Sequence, residues 1–327
     1  MNILITGATG FIGMHLTKTL TRQGFHCTCL VRPTSDIDQL SRLDNIKIVF
    51  GNITDKRSLE ASMRDVQVIY HLAAQVGYWG VPDEKFFAVN VEGTRNLLEI
   101  AHKINVQHFI FCSTPGVQGK GYMYASEELP YNPPHIYELT KAEAEKTILA
   151  FKEKKVNPQV TILRPDFVYG PGDLRRLPLY RAIKNKKFFL IGDGMTTLHP
   201  TFVEDAVEGF CLFPNNPISF GQTYNIAGPH VLTVKEYIRT IAETLKAPLP
   251  RLRIPIPLAL SFAIICEAAS RISGKAPVLS LSKVDFLTKH HGCDTSKAME
   301  QIGYRAKVDL KAGMRRTIDW YSGKHLI

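Results

Sequence analysis

Asn2-Ile3-Leu4-Ile5-Thr6-Gly7-Ala8-Thr9-Gly10-Phe11-Ile12-Gly13 opens the chain directly after Met1. Asn2–Thr6 reads as a short buried strand, and Phe11–Arg22 carries a helical pattern. Between them stand glycines spaced G-x-x-G-x-x-G, not G-x-G-x-x-G. Such glycines permit a tight turn, let the backbone approach a pyrophosphate, and let the helix pack close to the strand. The free N–H groups and dipole at the helix start then hold an anion. Glycines alone are a weak signal; their place between strand and helix is what gives them weight. The candidate contacts are Gly7, Thr9, Gly10, Phe11, Ile12 and Gly13, and the plain alternative is a strand–helix turn without a ligand.

Outward from this loop, apolar and β-branched runs recur at His26–Val31, Ile46–Phe50, Gln67–Leu72, Gln107–Cys112 and Gln159–Leu163, with helical patterns at Phe86–Lys103 and Ile136–Lys154. Strands alternating with helices mean βαβ units, so the expected fold is α/β, a Rossmann-type doubly wound parallel sheet. After Arg164-Pro165 the alternation breaks up and Pro and Gly become frequent. Residues 1–165, with a return segment near 200–228, are expected to form the dinucleotide-binding domain. Residues 166–327 should form most of a smaller, partly interleaved substrate domain.

The second strand ends Cys29-Leu-Val-Arg32-Pro-Thr-Ser35. Arg32 stands where a carboxylate would accept from the ribose 2′-OH of NAD. A guanidinium there can instead pair with a 2′-phosphate. The residues therefore predict NADP, with Arg32 and Ser35 on that phosphate. NAD stays open as the alternative, with Arg32 solvated and Asp36 or Asp38 at the ribose.

Tyr137-Glu-Leu-Thr-Lys141 places a phenol and an ammonium on one helix face. A cation beside a phenol favours the phenolate and lowers its pKa, which suits a group that exchanges a proton with an alkoxide. Tyr180-Arg-Ala-Ile-Lys184 has the same spacing but lies past the change of texture, and is read as helix surface. Ser113-Thr114 follows the strand Phe109–Cys112; a hydroxyl there can polarise a carbonyl.

The chain has 327 residues, is 45% hydrophobic and carries a net charge of +10. Its basic residues are dispersed and not interleaved with stacking aromatics, so nucleic acid is not expected as a partner. Six cysteines do not make a disulfide framework at this length. Cys27 and Cys29 read as reduced core residues, and no metal site is expected. With no signal-peptide pattern before the first strand and no apolar run of ~18–20 residues, a cytoplasmic protein is expected. Leu258–Ser273 reads as a buried helix, with peripheral membrane contact as the alternative.

Taken together, Gly7–Gly13, Gly51-Asn-Ile-Thr-Asp55, His71-Leu-Ala-Ala74, Asn90-Val-Glu-Gly-Thr94, Ser113-Thr114 with Gly119, Tyr137-x-x-x-Lys141, and Leu163-Arg-Pro through Tyr169-Gly-Pro-Gly172 resemble the extended short-chain dehydrogenase/reductase family over nearly the whole chain. The resemblance implies a catalytic Tyr137, a partner Lys141 that also bonds the nicotinamide ribose, and a catalytic Thr114. It places Ala73 and Ala74 along the cofactor, Asn52 and Ile53 at the adenine, and Pro165, Phe167 and Val168 beside the nicotinamide. The family's usual Asp is Asn52 here. A homodimer, joined partly through the Tyr137 helix, is also implied.

His71–Trp79, Cys112–Val117 and the tail from Gly303-Tyr304 to Trp320-Tyr321 are similar to the 3β-hydroxysteroid dehydrogenase, sterol-4-carboxylate 3-dehydrogenase and dihydroflavonol 4-reductase branch. That branch implies hydride transfer to or from a ketone or secondary alcohol of an apolar small-molecule substrate, with Tyr78, Trp79, Phe167 and Phe262 as candidate pocket walls. The alternative is a nucleotide-sugar epimerase or dehydratase. Its members usually carry an Arg before the segment matching Phe202-Val-Glu-Asp205, where this chain has Leu198-His-Pro-Thr201.

Overall fold

The computed structural model describes every residue except Tyr78, Lys155, Asn215 and Arg251. The expected contribution of Tyr78 to a pocket therefore lies outside the described residues. Seven strands form one parallel sheet: β1 (Asn2–Thr6), β2 (His26–Val31), β3 (Ile46–Phe50), β4 (Val68–His71), β5 (His108–Cys112), β6 (Gln159–Pro165) and β11 (Gln222–Ile226), in the order β3-β2-β1-β4-β5-β6-β11. Side-chain alternation explains why both faces are covered. Ile3 and Ile5 pack with Leu16 and Leu20 of α1 (Phe11–Arg22) and Phe210 of α7 (Val203–Cys211). Leu4 joins Leu97 and Ala101 of α4 (Gly93–Lys103) and Ile148 of α5 (Ile136–Lys152) on the other face. Strand order reverses between β1 and β4, which opens a crevice at the carboxyl ends of the strands.

Cys27 and Cys29 share one face of β2 in the core, and burial pushes both thiols up to about 12. The short helix α2 (Lys56–Ser62), capped by the Asp55 side chain on Arg57 N, was not anticipated. The expected Phe86–Lys103 helix is α3 (Asp83–Phe86), a π-helical turn at Phe87–Glu92, and α4. Asn90 accounts for part of this break: its side chain accepts from Gln75 N at 2.7 Å and donates to Thr140 Oγ1 at 2.9 Å. It thereby ties the loop after β4 to α5.

Beyond Pro165 the chain makes α6 (Leu177–Lys184), α8 (Val234–Thr244), α9 (Ile256–Ser273), α10 (Leu281–Thr288), α11 (Ser296–Ile302) and α12 (Leu310–Gly323). The two-residue strands β7 (Val168–Tyr169), β8 (Leu190–Ile191), β9 (Thr197–Leu198), β10 (Thr201–Phe202), β12 (Leu232–Thr233) and β13 (Arg253–Ile254) pair among themselves. α7 packs on α1, and β11 completes the main sheet beside β6. Tyr169, Tyr237 and Tyr321 centre a separate apolar cluster. Tyr180, read from sequence as helix surface, is wholly buried in that cluster, its ring 5.1 Å from that of Tyr321. The expectation of a buried helix at Leu258–Ser273 also fails. Of the 18 residues in α9 only Ala259, Ala263 and Ser270 are buried, and the helix is long and apolar enough by composition to cross a membrane.

One ion pair fixes α5 against the sheet. Arg164 on β6 donates from Nη2 to Glu145 Oε2 at 2.6 Å and from Nε to Oε1 at 3.0 Å, and Tyr131 OH donates to the same carboxylate at 2.9 Å. Both partners of the pair are buried. Replacing Arg164 with Met should cost about 3–5 kcal/mol by stranding a buried carboxylate. The double variant Arg164→Met/Glu145→Leu should regain most of this in chemical denaturation. Equal stability of the single and double variants would show that the stranded carboxylate costs nothing and that the pair does not fix α5.

Candidate active site

A cleft of about 760 Å³ lies along the carboxyl ends of the strands and takes in the phosphate loop, Arg32, Thr114 and Tyr137. Gly7 has φ +77°, and a Cβ there would lie 2.7 Å from Ala73 N; one at Gly13 would lie 2.1 Å from Gly7 O. The loop therefore has no room for side chains at these points. Gly10 N donates to Gly7 O at 2.9 Å, which closes the turn. No side chain caps α1 and no acid stands in its first turn. Thr9, Phe11 and Ile12 line the same wall. This cradle, open at a helix start, fits a pyrophosphate.

Arg32 and Ser35 lie together on the cleft wall, with Ser35 N donating to Arg32 O at 2.9 Å. Arg32 is exposed and has no carboxylate partner within the described residues. Asp36 is also exposed and does not line the cleft; its side chain accepts from Asp38 N at 3.0 Å. Asn52 and Ile53 line the cleft beyond β3. Asn52 Oδ1 accepts from Thr54 N at 3.1 Å, so that oxygen is occupied within its own turn.

Ala73 and Ala74 line the wall after β4, and Ala73 N donates to Thr6 Oγ1 at 3.2 Å. The same Thr6 hydroxyl bonds His71 Nδ1 at 2.7 Å, and His71 Nε2 bonds Thr94 Oγ1 at 3.0 Å. Burial and the nearby Lys141 charge hold the His71 pKa well below its ordinary value, so this histidine is a neutral strut between strands and α4.

Tyr137 and Lys141 sit one turn apart on α5, but only Tyr137 lines the cleft. Lys141 is buried behind it. Its Nζ donates to Cys112 O at 2.6 Å and lies 3.7 Å from the centre of the Phe111 ring. Burial lowers the Lys141 pKa to about 8. The expected lowering of the Tyr137 pKa by Lys141 is not what this geometry gives. Burial pushes the phenol up, Cys112 adds to that, and the cation of Arg175 opposes it.

Thr114 lines the cleft and accepts from Gly116 N at 3.2 Å. Its neighbour Ser113 is buried in the same wall with a hydroxyl that has no partner among the described residues, which fits a polar ligand group. Pro165, Phe167 and Val168 close the far end. Phe167 has φ +34°, stacks on Phe286 of α10 at 5.2 Å, and lies 4.1 Å from the Arg176 guanidinium. Trp79 and Phe262 are exposed and do not line the cleft.

Asp173, Arg175 and Arg176 also line the cleft, and sequence reasoning missed them. The hint was the acid and the pair of cations in Asp173-Leu-Arg-Arg176, which follow the glycine turn Gly170-Pro171-Gly172. A set of metal-ligand residue types was equally unexpected. Asp166, His199 and Cys293 bring their donor atoms within 4.8 Å of one another. Burial raises the Asp166 pKa to about 7, against the Phe167 backbone N–H and the Arg176 cation.

This architecture has extensive parallels. A plant 3β-hydroxysteroid-dehydrogenase/decarboxylase, isoform 1 of Arabidopsis thaliana, is 30% identical over 98% of this chain and 79% of its own. A decarboxylating sterol-4-alpha-carboxylate 3-dehydrogenase of Candida albicans is 28% identical over 98% of this chain and 97% of its own. The solved structure of UDP-glucuronic acid 4-epimerase from Bacillus cereus in complex with NAD superposes with a TM-score of 0.78, at 25% identity over 99% of this chain and 100% of that one. A model of the NAD dependent epimerase/dehydratase family matches residues 3–227. The chain belongs to that family, which is the extended short-chain dehydrogenase/reductase group its motifs resemble.

Proposed function

We propose that the protein is an NADP-dependent oxidoreductase acting on a ketone or secondary alcohol of an apolar, steroid-, flavonoid- or acyl-like substrate. The observation that carries this reading is that Thr114 and Tyr137 line the same cleft as the phosphate loop. The steroid and sterol dehydrogenases among its relatives support the substrate class. When bound, the nicotinamide supplies or accepts the hydride. The glycine loop lets the backbone come close, the free N–H groups at Phe11 and Ile12 in the first turn of α1 would hold the pyrophosphate, and Arg32 with Ser35 would bind the 2′-phosphate. Thr114 donates to the substrate oxygen. In reduction the carbonyl carbon gains the hydride and Tyr137 gives its phenolic proton to the oxygen; in oxidation both return. Lys141 stabilises the phenolate that Tyr137 becomes.

A nucleotide-sugar epimerase is the second reading, favoured by the structural likeness to the Bacillus cereus epimerase. Against it stand Leu198 and His199, both buried, where the sugar-nucleotide enzymes carry an Arg. Mass spectrometry of the purified protein separates the two. Tightly retained NAD supports the epimerase, and an empty protein that binds NADPH supports the reductase.

Tyr137→Phe should lower kcat for ketone reduction about 10²–10⁴-fold while NADPH still quenches or enhances fluorescence at wild-type concentrations. Undiminished turnover would refute the role given to Tyr137. Arg32→Ala should weaken NADPH by about tenfold or more, on the order of 1.4 kcal/mol, and leave NADH nearly unchanged; equal loss for both would end the 2′-phosphate assignment. Lys141 is cationic below about 8 and neutral above it. The value of kcat/KM for NADPH, which reports the free enzyme, should therefore fall as pH rises through that point. Lys141→Arg should remove this limb, and a limb unchanged in that variant would assign it elsewhere.

A further inference from the structure

α9 is an 18-residue helix, about 27 Å long at 1.5 Å per residue. It rests on the body through a narrow stripe of small residues, Ala259, Ala263 and Ser270. Ala259 and Ala263 pack on Ile191, Leu279 and Val284. Its outward side is apolar: Ile265 is 64% exposed, Leu258 62%, Ile264 57% and Phe262 49%. Ile272 at its end is 90% exposed and Val278 just beyond is 83% exposed. An apolar surface of this kind on a folded domain marks an interaction site.

The charges around this surface have one dominant sign. Arg253 precedes the helix, Arg271 and Lys275 stand at its far end, and Lys186 and Lys187 border the adjoining hollow with Leu249 and Leu252; those five basic residues are exposed. The acids are fewer. Glu267 turns its carboxylate to Leu281 N at 2.9 Å, and Asp193 lies in the exposed turn beneath Ile256. An apolar face rimmed by cations complements an anionic lipid surface, to which each exposed Lys or Arg is attracted. A second copy of this chain complements it poorly, because a two-fold contact through α9 would bring like-charged rims together.

We propose that α9 lies flat on an anionic bilayer, with Leu258, Phe262, Ile264, Ile265 and Ile272 in the acyl boundary and the basic rim on the headgroups. The contact has a use in the cleft. α9 packs on α10, and Phe286 of α10 stacks on Phe167 of the cleft wall, so docking sets that end of the cleft toward the lipid. This last link rests on the apolar-substrate reading, whereas the docking itself does not.

The test is co-sedimentation of the full chain with vesicles of phosphatidylcholine alone and of phosphatidylcholine mixed with phosphatidylglycerol. Binding to the mixed vesicles should be on the order of tenfold stronger and should weaken with salt. Ile264→Glu/Ile265→Glu should lose binding by about tenfold or more. Arg253→Glu/Arg271→Glu/Lys275→Glu should lose only the preference for the anionic lipid. All these positions are exposed, so NADPH affinity in solution should not change, and that measurement keeps a failure of docking apart from a failure of the cofactor reading. Absence of vesicle binding, or binding indifferent to both variants, overturns the proposal. So does a wild-type dimer without vesicle binding that Ile264→Glu/Ile265→Glu turns into a monomer, because a second copy would then cover the face.

Discussion

A methyl group at position 13 would stand 2.1 Å from the carbonyl oxygen of Gly7, closer than any packed structure tolerates. The approach of α1 to the end of β1 depends on that missing atom. Because the helix begins there, its uncapped N–H groups face the crevice rather than solvent or a side-chain cap. A Cβ on Gly7 would meet Leu72 and Ala73, so the loop is gripped between α1 and the segment that follows β4. The anion site, the sheet order and the position of the opposite wall are thus one steric solution.

The opposite wall is held by buried polar groups with few alternatives. Thr6, His71, Thr94, Asn90 and Thr140 form a chain of hydrogen bonds that links β1, β4, α4 and α5 across the carboxyl edge of the sheet. Each is buried, so a broken member would leave an unpaired group in a medium where it is costly. Asn90 also meets the backbone of Gln75 with both ends of its amide. The π-turn that carries Asn90 is a local irregularity which the rest of the network requires.

Most of the sheet and the phosphate loop were legible because their signals are local. Phe11–Arg22 is bounded by glycines in front and a turn behind, and β1, β2 and β3 are compact β-branched runs that end where expected. The misreadings concern what a segment touches. Tyr180 reads as helix surface in the sequence because it lies past the break in the strand–helix alternation, yet Tyr237 and Tyr321 come from far along the chain to enclose it. α9 looked like core because it is apolar, yet the body offers it only a stripe of small residues. Composition tells how much apolar surface a helix has and nothing about which part finds a partner. Arg175 and Arg176 line the cleft after a turn in which Gly170 and Gly172 both have positive φ, and where that turn leads the chain is a tertiary fact as well.

The same distinction governs the proton-transfer pair. Spacing alone suggests that Lys141 acts on Tyr137 as one charge on another, but burial acts on both first and in opposite senses. It favours the neutral phenol and the neutral amine, raising the one and bringing the other to about 8. Before reaction the pair is therefore a phenol that keeps its proton and an ammonium held by the Cys112 carbonyl and the Phe111 ring. A phenolate becomes favourable only when the proton leaves for a developing alkoxide, and a buried cation one helical turn away is then worth more than it was beside a neutral ring. In the proposed reaction the interaction belongs to the transition state rather than to the resting site, which is the condition for it to speed the chemistry and not merely tighten binding.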